Sequence, residues 1–391
     1  MDLNINDFEN ELSKHNQMFQ QAYFLSDWNN TDAKRPYYLF NQANEQVKKN
    51  IDTYFFPSDE IGQDKIAQYN NSHRQTRISA DNIVIASNGT SLLFFLIIDS
   101  VMNGNGVFLI FTPVYYTVIE IIRLFNLSAE IFEINFPYKQ VNWDLVNSIV
   151  QKRKISCLVI TDPIWGSGLS LTNSDYKSLL KIANVNSCHI IIDNTRGGMN
   201  WNGKCNDAGC DVLGYIPNLK HFSIIDSPCK RLFLNGEKFA ISYTEEKVKK
   251  RLDHLIEIIS GSMSSIQVLL MQEIFKEESY KETCETINAN ISKAINNYEL
   301  LNSALMGNNI VLSRPDNGYY AMLGLPRDIF EKQDDYHIFH ELLFRFHTYS
   351  IPMSLSQCNN DQYYLLRINL LLPINTTIEV IRSLLLINYE V

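Results

Sequence analysis

Long apolar runs, disulfide frameworks and linker-like composition are all missing from this sequence. No apolar run reaches the roughly 18 residues that a membrane-spanning helix needs, so we expect no membrane partner. Only 11 prolines and 16 glycines occur in 391 residues, too few for a linker-rich or collagen-like chain. Seven irregularly spaced cysteines do not suggest a disulfide framework, and the first residues are polar and acidic rather than signal-like. We therefore expect a cytoplasmic protein.

Positive charge is also in short supply. The chain has 34 lysines and arginines against 43 acidic residues, which gives a formal net charge of -9. Such a surface repels phosphate backbones, so the sequence predicts no nucleic-acid partner. Cys205 and Cys210, with His189, come nearest to a metal motif, but their spacing is loose and no second pair follows. The sequence therefore predicts no metal site.

Short apolar runs alternate with longer amphipathic segments between about residues 50 and 290. Strands are predicted at Ile83–Ala86, Val107–Phe111, Ser128–Ile134, Cys157–Thr161, His189–Ile192 and His221–Ile225. Near-continuous apolar strands separated by helical patterns indicate an α/β fold, with a mostly parallel sheet covered by helices on both faces. Polar residues follow most of these strands, at the sheet edge where such folds bind ligands. The sequence therefore predicts a three-layer α/β/α large domain with its site at the strand carboxyl ends.

The pattern changes after about residue 290. Strands are predicted at Ile310–Leu312, Gly318–Leu323 and Tyr363–Leu370, and helices at Ala294–Ala304, Tyr336–His347 and Thr377–Asn388. These short elements indicate a smaller α+β domain. We expect an N-terminal segment (1–49) that packs with the small domain, a large domain (50–290) and the C-terminal small domain (291–391).

The most informative segment is the stretch from Ser227 to Lys238. A strand is followed by Ser227, then by Lys230 three residues later, and by the cation of Lys238 eight residues after that. This order resembles the signature of the fold-type-I pyridoxal-phosphate (PLP) enzymes, the aspartate aminotransferase superfamily. An exposed loop lysine is the alternative interpretation of Lys230 taken alone.

Other segments resemble the same superfamily in the same order, over about residues 50 to 370. They are Tyr54–Pro57 with Gly62 and Ile66–Tyr69, Asn88–Thr90, Thr112–Tyr116, Asp162–Gly168, Ile191–Asp193 and Leu366–Asn369. The resemblance implies the three-layer PLP-transferase fold, a seven-strand sheet, an amino-acid substrate and PLP as cofactor. It also implies a homodimer whose sites are completed across the interface.

The resemblance assigns the central chemistry to Lys230 and Asp193. A lysine amine is nucleophilic only when it is deprotonated, and Lys230 would form an imine with the cofactor aldehyde and then act as a base at the substrate α-carbon. Asp193 would keep the cofactor's ring nitrogen protonated, so that the ring acts as an electron sink. A turn or helix-cap role remains the alternative for Asp193.

A phosphate group needs N–H donors, hydroxyls and a cation. Asn88 and Gly89 precede a predicted helix whose N-terminus suits an anion, and Thr90 adds a hydroxyl. Ser227 would add a second hydroxyl and Lys238 the positive charge, where the family usually has arginine. An ordinary turn at Asn88 and Gly89 is the alternative.

Three further residues take family roles under this resemblance. Tyr115 would stack on the cofactor ring, with Tyr116 as second choice, and Tyr54 would reach the phosphate of the neighbouring subunit. Arg367 lies in an apolar strand, where an unpaired charge is costly, and its fork would bind the substrate carboxylate. Structural aromatics and a structural ion pair are the respective alternatives.

Two positions depart from the family pattern. Trp165 replaces the asparagine that normally contacts the cofactor's phenolic oxygen and the substrate carboxylate, and it would line the pocket. Arg196 replaces the tyrosine found three residues after the aspartate, an arrangement similar to that of the β-eliminating lyases. We expect Arg196 to contact the phenolic oxygen, the alternative being an outward ion pair with an acid such as Asp207.

The sequence thus leaves three functions to compare. The first is a PLP-dependent aminotransferase that acts on an amino acid with a free α-carboxylate. The second is a PLP-dependent lyase or cyclase of a specialised biosynthetic pathway, which the Asp193–Arg196 spacing brings into consideration. The third is a non-catalytic relative, against which the joint presence of Lys230, Asp193 and Arg367 speaks.

Overall fold

A computed structural model describes residues 4–19, 21–49, 59–104, 106–137, 141–203, 206–330 and 333–385. The α-helices are α1 (Ile5–Met18), α2 (Tyr37–Lys49), α3 (Glu60–Arg74), α4 (Gly89–Met102), α5 (Tyr116–Leu124), α6 (Trp143–Arg153), α7 (Asn173–Asn186), α8 (Pro228–Arg231), α9 (Glu246–Ile259), α10 (Ser265–Ile274), α11 (Tyr280–Leu305), α12 (Asp335–Phe346) and α13 (Ile374–Leu385). The strands are β1 (Tyr23–Phe24), β2 (Ile83–Ala86), β3 (Val107–Thr112), β4 (Ser128–Glu133), β5 (Cys157–Thr161), β6 (His189–Asp193), β7 (Phe222–Asp226), β8 (Ala240–Thr244), β9 (Val311–Leu312), β10 (Tyr320–Pro326), β11 (Thr348–Tyr349) and β12 (Tyr363–Asn369). None of the helices in these ranges is both long and apolar enough to cross a membrane.

A seven-stranded sheet forms the centre of the molecule, in the order β2-β8-β7-β6-β5-β3-β4. The strands from β7 to β4 in this order are parallel, and β8 runs antiparallel to both of its neighbours. The six strands predicted between residues 83 and 225 all lie in this sheet. The predicted α/β class with a mostly parallel sheet is therefore confirmed.

Alternate residues of the strands enter separate cores on the two faces of the sheet. Ile190 and Ile192 of β6 belong to one core, whereas Ile191 between them belongs to the other. Helices α3, α6, α7 and α10 contribute to the first core, and α4, α5 and α9 to the second. Burial on both faces explains why these strands are nearly continuous apolar runs, and it establishes the three-layer arrangement.

One central strand, β8, is not predicted from the sequence. Its Ser242 and Thr244 interrupt the apolar pattern, although both are fully buried. Thr244 satisfies its hydroxyl by donating to the carbonyl of Phe222 at 3.1 Å, and it lies 2.7 Å from the hydroxyl of Ser223. Because Thr244 finds partners inside the protein, it can be buried without the apolar run that strand prediction relies on.

The C-terminal part of the chain forms a second, antiparallel sheet in the order β12-β10-β9, close to the predicted strands. The predicted helix Ala294–Ala304 is the end of the longer α11, so the expected boundary near residue 290 falls inside a continuous helix. At the N-terminus, β1 pairs with β11 and α1 contacts α12, whereas α2 contacts α10. The domain limits themselves stay a prediction.

A buried ion pair joins the end of β7 to α8, and its arginine also contacts the loop that follows β6. Arg231, next to Lys230, places Nη2 2.6 Å from both carboxylate oxygens of Asp226 at the end of β7. Its Nη1 donates to the carbonyl of Gly197 at 2.9 Å, immediately after Arg196. Both charged side chains are shielded from solvent, and burial raises the pKa of Asp226 to about 6 even though Arg231 opposes this. The pair therefore holds together the two segments that carry Lys230 and Arg196.

Replacing Asp226 by asparagine is expected to lower the free energy of unfolding by about 3 kcal/mol, because the buried Arg231 charge loses its counter-ion. Urea unfolding at pH 7 measures the change. Glu246→Gln is the matched control, since Glu246 pairs with Lys250 on the surface and its loss is expected to leave the midpoint unchanged. Equal midpoints for the two variants would contradict a stabilising role for the buried pair.

Candidate active site

The carboxyl ends of the parallel strands surround one cavity of about 420 Å³. Asp193 ends β6, Ser227 follows β7, and Lys230 lies on the short α8 that comes next. All three side chains line the cavity. Small-molecule sites typically enclose about 300–1,000 Å³, so the space is sufficient for a small organic cofactor.

The environment of the cavity lowers the pKa of Lys230. Burial lowers the pKa of its ammonium group from 10.5 to about 7, and the cation of Arg196 acts in the same direction. The carboxylate of Asp193 opposes these effects. Near neutral pH a large share of Lys230 is therefore the uncharged amine, the form that can attack a carbonyl group or accept a proton.

Asp193 is fixed at the end of its strand by hydrogen bonds on two sides. The N–H of Thr195 donates to Oδ1 of Asp193 at 3.0 Å, and the N–H of Asp162 donates to the Asp193 carbonyl at 3.0 Å. The side chain is 8% exposed and lines the same cavity as Lys230. A carboxylate and an amine that is partly neutral near pH 7 thus line one cavity.

The N-terminus of α4 forms another wall of this cavity. Asn88 caps the helix, because its Oδ1 accepts the N–H of Ser91 at 2.8 Å. A Cβ on Gly89 would lie 2.9 Å from the methyl group of Thr195, so glycine allows α4 to approach the end of β6 closely. Thr90 is exposed and also lines the cavity. The unpaired N–H groups of the first helical turn make this wall suitable for an anion.

Ser227 and Lys238 lie beside the helix terminus. The hydroxyl of Ser227 donates to the Phe239 carbonyl at 3.0 Å, and its N–H donates to Asp226 at 2.8 Å. Nζ of Lys238 lies 4.9 Å from the centre of a Trp28 ring. A cation and a hydroxyl therefore accompany the N–H groups of α4.

Arg196 points into the cavity and contacts aromatic rings. Its Nη1 donates to the hydroxyl of Tyr319 at 2.6 Å, and its Cζ lies 4.8 Å from the ring centre of Tyr320 and 5.3 Å from that of Trp28. Asp207 instead pairs with Arg74 at 2.5 Å. The alternative in which Arg196 turns outward to Asp207 is therefore wrong.

Trp165 forms a wall between this cavity and a neighbouring one. The backbone N–H of Trp165 donates to the hydroxyl of Thr161 at 3.0 Å, which fixes the loop after β5. The Trp165 ring lies 5.0 Å from the ring of Tyr115, which immediately precedes α5 and lines the cavity. The indole therefore provides an apolar surface where the family pattern has an amide.

Arg367 lies on the other side of Trp165. Its Cζ is 4.8 Å from the ring centre of Trp165 and 4.5 Å from that of Tyr320, and burial lowers the pKa of its guanidinium. Within the described ranges, no acidic side chain forms an ion pair with Arg367, Arg196 or Lys238. The structural ion pair considered for Arg367 is thus not observed there, and its charge remains available to a ligand.

The structure brings nearly all of the predicted site residues together. The cavity around Lys230 is lined by Asn88, Gly89, Thr90, Tyr115, Trp165, Asp193, Arg196, Ser227 and Lys238. Arg367 lines the adjoining cavities together with Trp165 and Arg196. Tyr54 lies outside the described residues.

Several lining residues are missed by sequence reasoning. Trp28 comes from the N-terminal segment, Gln267 from α10, and Tyr319 with Tyr320 from the start of β10. None of them belongs to a local motif, and each reaches the site only through the packing of distant segments.

No cluster of three or more histidine, cysteine or acidic side chains is found in the part of the chain that the structure describes. Cys205 falls outside that part. His189 is buried and lies 2.9 Å from the hydroxyl of Ser223, and burial lowers its pKa to about 4.

Comparisons with solved structures identify the fold. An Escherichia coli protein with a described methionine aminotransferase function is 17% identical, with a TM-score of 0.81 and coverage of 98% of this chain and 97% of that one. A mutant aspartate aminotransferase of Thermus thermophilus is 12% identical, with a TM-score of 0.82 and the same coverage. The aspartate aminotransferase of Rhizobium meliloti is 12% identical, with a TM-score of 0.81, and covers 97% and 95%.

The sequence itself identifies the family. A comparison with curated proteins finds no match. The sequence model of the aminotransferase class I and II family, however, matches residues 42–384, nearly the whole chain. The predicted superfamily and the predicted enzyme class are confirmed. The chain therefore belongs to the class I and II aminotransferases, a family of transferases that generally depend on PLP.

Proposed function

We propose that this chain binds PLP in the cavity around Lys230 and transfers an amino group from an α-amino acid to a 2-oxo acid. The observation that supports this most directly is the meeting of the Lys230 amine, with its pKa of about 7, and the Asp193 carboxylate at one cavity. When bound, PLP supplies an aldehyde for the lysine amine and an electron sink for the substrate α-carbon.

The lining residues fit the parts of such a cofactor. The N-terminus of α4, Thr90 and Lys238 offer N–H groups, a hydroxyl and a cation to a phosphate, and Ser227 would join them by turning its hydroxyl away from Phe239. Nε of Arg196 is buried and has no hydrogen-bond partner among the described residues. Such an unsatisfied donor is costly unless a ligand oxygen accepts from it, as the phenolic oxygen of PLP would.

The roles of the individual side chains follow from their chemistry. Lys230 would bind the cofactor and, once displaced by substrate, would accept the α-proton of the donor at Nζ and later supply a proton to the α-carbon of the amino acid formed from the acceptor. Asp193 would stabilise a proton on the ring nitrogen, and Tyr115 would contact the ring face. Arg367 would bind the substrate carboxylate with its fork, since no acidic group within the described ranges competes for it.

The runner-up function, elimination or cyclisation, rests on the Asp193–Arg196 spacing alone. Family membership over nearly the whole chain favours transamination instead. We also infer a cytoplasmic homodimer, as is typical of the family, in which Tyr54 would contact the phosphate bound by the neighbouring subunit. Size-exclusion chromatography with light scattering tests the dimer.

Incubation of the protein with PLP, a panel of amino acids and either 2-oxoglutarate or pyruvate is expected to produce glutamate or alanine. Lys230→Ala should reduce this rate at least about 100-fold, because the base at the α-carbon is lost. Lys281→Ala, at an exposed lysine of α11, is the matched control and should keep the rate. Release of ammonia without an acceptor would contradict transamination and favour elimination.

The pKa of Lys230 predicts the pH dependence of its reactivity in the cofactor-free protein. Because the pKa is lowered to about 7, the neutral amine should accumulate between pH 6 and 8, and its trinitrophenylation rate should level off there. Peptide mapping by mass spectrometry separates the Lys230 product from the products of exposed lysines. A Lys230 midpoint above pH 9 would contradict the desolvated amine.

A further inference from the structure

A second cavity of about 340 Å³ adjoins the Lys230 cavity on the far side of Trp165 and Arg367. We call it the side pocket. Arg196 and Arg367 line its inner end, so a substrate whose carboxylate contacts Arg367 would extend its side chain here. Half of the other lining residues are aromatic, namely Phe24, Trp28, Tyr115, Tyr116, Trp165, Tyr320 and Tyr349.

The charges around the two cavities leave no partner for a second carboxylate. Within the described residues, the lining cations are Arg196, Lys230, Lys238 and Arg367. Under the proposed function, Lys238 faces a phosphate, Arg196 a phenolic oxygen and Arg367 one carboxylate, while Lys230 reacts as the neutral amine. A side chain that carried its own carboxylate would therefore be buried without a counter-ion, which is costly.

A cationic side chain is not matched either. In the described part of the chain, Asp27 is the acid that lines the side pocket. Its carboxylate already accepts the N–H of Asn29 at 2.8 Å and the side-chain amide of Asn30 at 2.6 Å. Because Arg196 and Arg367 also line the side pocket and outnumber this one acid, a cationic side chain is disfavoured, and the side pocket suits an uncharged one.

The aromatic rings of the side pocket are held in place by backbone pairing. Phe24 and Tyr349 are cross-strand partners of β1 and β11, with ring centres 4.7 Å apart at 75°. On the opposite side, the ring of Tyr115 lies 4.7 Å from that of Tyr116 and 5.0 Å from that of Trp165. Rings at such spacings can receive a further ring edge-to-face or offset, which adds to the stabilisation from apolar burial.

We propose that the amino donor is an amino acid with one carboxylate and an aromatic side chain, which the side pocket binds. The proposal rests on the proposed function. The aromatic amino acid becomes its 2-oxo acid, and the acceptor 2-oxo acid receives the amino group and both electrons and becomes an amino acid.

The first experiment compares donors on the PLP-loaded protein with the better of the two acceptors. Phenylalanine, tyrosine or tryptophan should exceed aspartate, glutamate, leucine and methionine in kcat/KM by at least about tenfold. A preference for a dicarboxylic or an aliphatic donor would overturn the inference and leave the aminotransferase function intact. Lack of turnover with every donor would instead contradict the proposed function.

The affinity of unreactive carboxylates tests the side pocket without catalytic turnover. By calorimetry on the PLP-loaded protein, 3-phenylpropionate should bind at least about tenfold more tightly than succinate, because only the ring finds a complementary wall. Equal affinity, or tighter binding of succinate, would overturn the inference even if no donor had been found.

A variant of Tyr349 tests the pocket wall. Tyr349→Leu should lower the ratio of kcat/KM for phenylalanine to kcat/KM for alanine by about tenfold, and Tyr349→Phe, which keeps the ring, should restore it. The ratio is taken within one protein, so a partly misfolded sample does not change it. Tyr37→Leu, at an exposed tyrosine of α2, is the control. An unchanged ratio in Tyr349→Leu would contradict the role of this wall.

Discussion

The proposed chemistry of this protein depends on holding a lysine amine in a place where it cannot easily carry a charge. Burial and the neighbouring Arg196 lower the pKa of Lys230 to about 7, and Asp193 prevents a still larger change. The fold provides this environment because parallel strands end at one edge, where β6 delivers Asp193 and the segment after β7 delivers Lys230. The ion pair between Arg231 and Asp226 then fixes the lysine segment to the loop that carries Arg196.

Aromatic rings surround the arginine side chains of the site. They stabilise the positive charge and leave it available to a ligand. The guanidinium groups of Arg196 and Arg367 lie against rings, Tyr320 among them, that attract a cation without neutralising it. Trp165, which departs from the family pattern, contributes to this surface. The two departures from the family pattern are therefore neighbours in the site. Arg196 stands where the family has tyrosine, and the Trp165 ring near it stands where the family has asparagine.

Sequence reasoning could predict what local pattern encodes. The apolar runs locate six of the seven central strands, and the resemblance groups Lys230 with Asp193 and Arg367 before any geometry is known. It misses β8, because buried Ser242 and Thr244 break the apolar pattern of that strand. It also misses Trp28, which becomes a site residue only when the N-terminal segment folds over Lys238 and Arg196. Contacts of this kind come from tertiary packing, which no local spacing records.

We propose that the Lys230 amine is the group that binds the cofactor aldehyde. Borohydride reduction of the protein after incubation with PLP, followed by peptide mapping, tests it directly. We expect the pyridoxyl mass to be attached to Lys230 at about one group per chain, and we expect Asp193→Ala, which alters the site but keeps the lysine, to reduce the yield. Attachment mainly to exposed lysines, in the same proportion in both proteins, would contradict it.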